Sequence, residues 1–191
     1  MSTKIYLASK SPRRQQLLKQ IGIDFTLLNS DIDEIPLANE TAIETARRLA
    51  DEKALAGWNS PQRIQLLPVL AADTLGLLDG NLLMKPKDKQ DAIQMLSQMS
   101  SKEHQIITAV SICFNGEIQN IESVSTVRFC TLTAEEIEQY WNTGEPKDKA
   151  GSYAIQGQAA RFVESITGSY SGIVGLPLQQ TWQLLQQFNT S

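Results

Sequence analysis

The segment LASKSPRR, Leu7 to Arg14, brings two hydroxyls, Ser9 and Ser11, and two guanidinium groups, Arg13 and Arg14, to the point where a helix should begin. Ser11 suits an N-cap and Pro12 the first helical position, leaving backbone N–H groups exposed beside the arginines. A helix start attracts anions, and a guanidinium can hold two phosphate oxygens at once. Cations sit badly against the positive end of a helix, which argues for an anion nearby. The plain alternative is a capped helix with exposed arginines in its first turn. Asp73 follows the apolar run Val69 to Ala72, so a carboxylate is expected at a strand end, where α/β sheets bind ligands, unless Asp73-Thr74 merely begins a turn. Lys53, on the rim of a helical apolar face, and Lys85, before Pro86, each pass singly for solvated side chains. Their conjunction is more informative. Arg13, Lys53 and Lys85 for charge, with Glu34 and Asp73 for a divalent cation, make the set that polyphosphate hydrolysis needs. Cations and metal offset charge on the phosphates while a carboxylate orients and deprotonates the attacking water. Hard oxygen ligands favour magnesium or manganese, with most of the coordination left to water and substrate.

Other chemistries find little support. The chain has no G-x-x-x-x-G-K-[ST] loop, no G-x-G-x-x-G and no H-E-x-x-H. GSYSG, Gly168 to Gly172, has the outline of a nucleophile elbow, but its central residue is Tyr170. The sole histidine, His104, opens a strand on a charged loop and is expected to be a surface or strand-end residue with a local hydrogen bond. Cys113 and Cys130 sit in apolar β-like runs without C-x-x-C spacing, as buried thiols in a reducing compartment do. The balance of 17 basic and 21 acidic side chains, net −4, is too acidic for a protein that coats nucleic acid. The opening MSTKIYLASK lacks the apolar stretch of a secretory leader, and Leu66 to Ala72 is too short to span a bilayer. A cytoplasmic protein without membrane partner is expected, which makes the N-x-[ST] matches at Asn39 and Asn189 accidental.

The elements that must position these residues are legible in outline. Lys4 to Ser9 reads as a strand, followed by a helix with Leu17, Leu18 and Ile21 on its apolar side and Gly22 as its stop. Phe25 to Leu28 suggests a strand, Asp31 to Glu34 a loop, and Thr41 to Leu55 a helix with Ile43, Ala46, Leu49, Ala50 and Ala54 on one face. Val69 to Ala72 is a buried strand; Leu75 to Leu78 and Asn81 to Met84 pair across Asp79-Gly80. Ala92, Ile93, Leu96 and Met99 mark a helix. The long runs Gln105 to Phe114 and Glu117 to Thr131 form a hairpin at Asn115-Gly116, and Thr133 with Glu136 has capping-box spacing. Strands are expected near Ser152 to Gln156 and Arg161 to Ile166, then a helix with Leu178, Trp182 and Leu185 on one side. A length of 191 residues fits one domain or two small lobes, and the mixed order gives an α/β or α+β sheet with a cleft.

LASKSPRRQQLLKQIGIDF, LAADT, Lys85-Pro86, DKAGSYAIQG and GSYSGIVGLPL, in that order and spacing, resemble the Maf nucleotide pyrophosphatases over nearly the whole chain. The resemblance implies a single domain of two lobes across residues 1–191. Its fold would be α/β, an elongated mixed sheet with flanking helices and a deep central cleft, similar to the inosine triphosphate pyrophosphatases and commonly homodimeric. It implies cleavage of a nucleoside triphosphate between the α and β phosphates with a divalent metal. Asp73 matches the family's proton acceptor. Arg13, Thr74 and Gln156 match positions tied to substrate selection, and Ser9, Glu34, Lys53 and Lys85 match polar residues of the cleft, where Ser9, Ser11, Arg13, Lys53 and Lys85 would bind phosphate. Gln156 offers a donor and an acceptor to the carbonyl and N–H edge of thymine or uracil; its ordinary role would be a strand-end amide bonding backbone. DKAG followed by Y-x-IQG resembles the branch acting on dTTP and UTP, including modified pyrimidines, in a house-cleaning role, rather than the 7-methyl-GTP branch, with Lys149 and Gln156 the discriminating letters. Gln158-Ala159 departs from the glycine-containing pair expected there, and the Trp58 to Pro68 connection is longer than usual. A nucleotide-sensing regulator of septum formation without turnover is the rival that the family's history suggests.

Overall fold

A computed structural model describes residues 4–188, so the Asn189 match lies outside the described residues. The chain order is β1 (Lys4–Leu7), α1 (Pro12–Gln20), β2 (Asp24–Leu27), α2 (Ala42–Trp58), β3 (Val69–Leu78), β4 (Asn81–Leu83), α3 (Lys89–Met99), β5 (Glu103–Phe114), β6 (Glu117–Phe129), α4 (Ala134–Asn142), β7 (Val163–Thr167), α5 (Tyr170–Val174) and α6 (Leu178–Gln186). Short 3-10 turns cover Glu145–Asp148, Ala150–Ser152 and Gln158–Phe162. The strands make a mixed sheet in the order β2-β1-β3-β5-β6-β7, with β4 on β3. Two compact units divide the chain: the first holds residues up to Thr74, Thr108–Ser123 and the part from Gly175 onward, the second Leu75–Ile107 and Val124–Val174.

In the first unit β1 pairs in parallel with β2, Ile5 opposite Phe25, and with β3, Leu7 opposite Leu70. Parallel neighbours need a crossover, and α1 supplies the one between β1 and β2. Tyr6, Ala8, Ala54, Val69, Ala71 and Cys113 pack into the unit's core. The α2 helix starts at a complete Thr41–Glu44 capping box and buries Ala46, Leu49, Ala50 and Ala54 at the helical spacing the sequence predicts, whereas Ile43, expected on the same face, lies in the first turn and is exposed. It lies so close to the sheet that a Cβ at Gly57 would sit 2.8 Å from Val69 Cγ1 and 2.9 Å from Ala8 Cβ. That approach sets Lys53, one turn earlier on the same buried face, against the sheet.

In the second unit, α3 and α4 and the 3-10 turns enclose Phe129, Tyr140, Tyr153 and Phe162, whose rings meet edge to face. The Thr133–Glu136 capping box is complete. Asp79-Gly80 has φ of 49° and 81°, the primed turn expected between β3 and β4.

Several expectations are corrected. Asp73 is not at a strand end: β3 runs unbroken from Val69 to Leu78, and the carboxylate lies inside it. The register with β1 ends at Leu70 and the one with β4 begins at Gly76, so Asp73 and Thr74 fall in the interval between the two ladders. His104 does stand at the start of β5, but it is 2% exposed rather than on the surface; it is in the second unit's aromatic core, its Nε2 2.7 Å from Tyr153 Oη. Ser152 to Gln156 is no strand but a turn closed by the Gly157 N–H donating to the Ala154 carbonyl at 2.9 Å. Arg161 and Phe162 belong to a 3-10 turn, and β7 starts at Val163. On α6 the buried positions are Thr181, Leu184 and Leu185; Trp182 is one step round the helix, 43% exposed. Both cysteines are free, Cys113 buried and Cys130 half-buried. No helix among the described residues is long and apolar enough to cross a membrane.

Candidate active site

Leaving β1 at Leu7, the chain turns through Ala8 to Ser11 and enters α1 at Pro12. Ser11 is the N-cap by position, but no side chain caps this helix. Instead Ser9 Oγ accepts the Ser11 N–H at 3.2 Å. The hydroxyl of Ser9, itself buried, thus braces the turn before the helix.

Arg14 reaches inward from the first turn of α1. Its Nε donates to the Gly175 carbonyl at 2.9 Å, its Nη2 to Thr74 Oγ1 at 3.1 Å and its Nη1 to Ser9 Oγ at 3.4 Å. Thr74 Oγ1 is in turn 2.9 Å from Thr108 Oγ1. Burial draws the Arg14 pKa below the ordinary guanidinium value, opposed by the field of Asp73, reinforced by Arg13 and opposed again by Glu34. A guanidinium is protonated even so, and Arg14 is a half-buried cation whose three hydrogen bonds tie the entry of α1 to β3.

One residue before Thr74, Asp73 accepts from Lys53 Nζ at 2.6 Å through Oδ1, with both side chains about 10% exposed. The same ammonium lies 2.5 Å from Glu34 Oε1, on a more exposed carboxylate in the loop after β2. Lys53 reads as a rim residue in the sequence; in the structure it stands in the middle of the buried stripe of α2, 8% exposed, compensated by two carboxylates. No described residue makes a hydrogen bond to Asp73 Oδ2.

The first unit therefore brings together Ser9, Ser11, Lys53, Asp73, Thr74 and Glu34. Arg13, half-buried in the first turn of α1, has no ion-pair partner among the described residues and remains available to an anion. Lys85 and Gln156 belong to the second unit, Lys85 exposed after β4 and Gln156 exposed at a turn. Lys149, ion-paired with Asp148, is in the second unit too. Arg14 is the residue the sequence-based selection of Arg13 passes over. The signal for it was present: Arg14 precedes Leu17 and Leu18, the buried residues of α1, by three and four positions, which puts it on their face.

The donor chemistry fits a divalent ion. Glu34 and Asp73 already direct oxygens at one positive charge, and both are hard ligands. Among the described residues there is no group of three or more potential metal ligands. An ion held here would draw most of its coordination from water and substrate, the usual condition of magnesium.

The family model described as Maf-like protein matches residues 4–188. Among curated relatives, a protein of Aliivibrio fischeri named dTTP/UTP pyrophosphatase is 46% identical, covering 98% of this chain and 100% of that one. Proteins of the same name from Pseudoalteromonas atlantica and Nitrosomonas europaea are 48% and 49% identical, over 97% and 98% of this chain and 97% and 95% of theirs.

Proposed function

The chain belongs to the Maf family, and from that premise we infer that it is a nucleoside triphosphate pyrophosphatase hydrolysing dTTP and UTP to the monophosphate and pyrophosphate, a house-cleaning enzyme of the nucleotide pool. The name shared by relatives 46 to 49% identical over almost their full length supports the substrates. The observation that carries the chemistry is the Glu34–Lys53–Asp73 array beside the Arg14–Thr74 pair.

Asp73 is assigned the base. Lys53 fixes Oδ1, leaving the second oxygen to take a proton from water. The water oxygen attacks the α-phosphorus, the bond from that phosphorus to the bridging oxygen breaks, and the electron pair departs on pyrophosphate. Holding the carboxylate by a buried ammonium restricts its rotation, so the lone pair stays aimed at one point and little reorganisation is needed in the transition state. Arg13, Ser9, Ser11 and the uncapped start of α1 are assigned to the phosphates, where the helix dipole and a free guanidinium both favour negative charge. Arg14 orients Thr74 from behind. Lys53 and Lys85 are assigned to charge compensation, and Gln156 to the base.

Magnesium or manganese would be held by Glu34 and Asp73 and, when bound, offsets charge building on the phosphates. The reading extends to a cytoplasmic homodimer acting on free nucleotides with no membrane partner and no nucleic-acid partner, and on the last of these the net charge of −4 is the support in the chain itself.

The test is a panel of purified triphosphates assayed for pyrophosphate with magnesium or manganese, on the native chain and on Asp73→Asn. That variant keeps the shape of the side chain and removes the base. It should bind nucleotide and lose about a thousandfold in kcat. Full turnover by Asp73→Asn would remove Asp73 from its role, and a panel without pyrophosphate release from dTTP or UTP would sink the assignment of activity.

A further inference from the structure

Gln156 sits in a tight turn of the second unit. Ile155, 5% exposed, anchors the turn from below, while Gln156 itself points its residue surface to solvent. An exposed amide on a free loop would spend its hydrogen-bonding capacity on water and lose entropy on meeting a base. This turn is not free, because it is tied on both sides to one pair of side chains.

Before Gln156, the Ala154 N–H donates to Tyr140 Oη at 3.2 Å. After it, the Gln158 N–H donates to Glu145 Oε2 at 3.0 Å and the Ala159 N–H to Glu145 Oε1 at 3.4 Å. The two anchors are themselves joined, with Tyr140 Oη–H donating to Glu145 Oε1 at 2.6 Å. Tyr140 is fully buried in the aromatic core on α4, so the arrangement is rooted in the packed interior of the unit. Burial first, and the bond to Glu145 second, push the Tyr140 hydroxyl above its ordinary pKa and keep it a donor.

Gly157 belongs to the same arrangement. Its φ of −106° is open to any residue, so backbone strain does not demand glycine. A Cβ at this position would fall onto the Glu145 carboxylate, the movable end of a side chain, so the glycine of the I-Q-G sequence is what lets that carboxylate close on the turn.

We propose that Glu145, buttressed by Tyr140, is the positioning residue for base selection, holding the Ala154–Ala159 turn so that the Gln156 amide meets the pyrimidine edge in one orientation. The proposal rests on Gln156 as the base reader, and adds the residues through which that reading is made selective. A carboxylate suits the task because it is acceptor-only and can take the Tyr140 hydroxyl and two backbone N–H groups together. An amide in its place would turn a donor toward one of those N–H groups.

The test measures kcat and KM for dTTP, UTP and 7-methyl-GTP on the native chain, Glu145→Gln, Tyr140→Phe, Gln156→Ala and the Glu145→Gln/Gln156→Ala double variant, with thermal melts alongside. Glu145→Gln should raise KM for dTTP and UTP about tenfold, the scale of one well-placed hydrogen bond, with kcat within about twofold. The preference for dTTP over 7-methyl-GTP should fall by the same factor. Tyr140→Phe should move it in the same direction by about threefold, and the double variant should rank substrates as Gln156→Ala does. Should Gln156→Ala leave the ranking unmoved, base reading at Gln156 fails and the proposal with it. If Gln156→Ala shifts the ranking and neither Glu145→Gln nor Tyr140→Phe does, or if these two weaken all three nucleotides equally, base reading stands and the positioning role is overturned. Tyr140→Phe decides the matter if Glu145→Gln does not fold.

Discussion

In the first unit an ammonium and a carboxylate are withdrawn from water together, Lys53 on Asp73, and a half-buried guanidinium is held beside them, Arg14 on Thr74, Ser9 and Gly175. In the second unit the interior is aromatic, and the polar atoms among its rings are neutral: His104 against Tyr153, Tyr140 reaching out to Glu145. Charge that must act on a polyphosphate has to be kept ionised and aimed, which a water-poor site does at the cost of desolvation. A unit that presents an amide for hydrogen-bond reading needs only rigidity, and edge-to-face rings supply that without buried charge. The difference between the two interiors matches the division between chemistry and recognition that we propose.

The sharpest way to break this comparison is to remove the ammonium. Lys53→Met keeps the aliphatic stem and strands the Asp73 carboxylate, and should cost about 3 kcal/mol in urea unfolding at neutral pH. Adding Asp73→Asn to that variant should restore most of the loss, because no unpaired charge is left. An unchanged midpoint for Lys53→Met would mean the first unit does not depend on its buried pair.

A comparable effect, reached by pH alone, belongs to the second unit. Burial lowers the pKa of His104 from 6.5 to about 4, and its Nδ1 has no hydrogen-bond partner among the described residues. Below pH 6.5 the unfolded chain binds a proton that the folded chain refuses. The stabilisation is complete above 6.5 and is lost as pH falls from 6.5 toward 4, by up to about 3 kcal/mol. With one histidine in the chain, a single imidazole resonance followed by NMR reports it. Titration near 6.5 in the folded protein would remove the neutral interior from the comparison.

The smallest effect is expected outside both interiors. Lys102 pairs with Asp79 at 2.8 Å, side chains 50% and 63% exposed. Lys102→Ala should change stability by less than about 1 kcal/mol and leave the substrate ranking alone. A larger loss would show that surface charge, rather than the two kinds of core, sustains the second unit.

Local signals in the chain specify some elements and not others, for identifiable reasons. The Thr133–Glu136 capping box, the primed turns and, apart from Ile43, the buried stripe of α2 follow from contacts within a few residues, and they stand where the sequence puts them. Trp182 was misplaced because apolarity outweighed its position one step off the Thr181–Leu185 stripe. The strand-end position of His104 holds but its burial is not legible, because the charged residues around it in sequence say nothing of Phe129 and Tyr153, which are its neighbours in space. The strand expected at Ser152 to Gln156 gave way to a turn because Tyr140 and Glu145 satisfy its N–H groups in place of a neighbouring strand.

The sequence by itself determined which groups could act, Arg13, Lys53, Lys85, Asp73 and Gln156, and most of the helices and hairpins that carry them, because residue type, capping and periodicity are properties of short stretches of chain. Only the tertiary structure decided that Lys53 bridges Glu34 and Asp73, that Arg14 rather than Arg13 is the guanidinium hydrogen-bonded to Thr74, Ser9 and Gly175, and that Glu145 grips the turn bearing Gln156. Those pairings join residues distant in sequence, and a charge or an N–H withdrawn from water takes whichever partner the packed chain brings within reach.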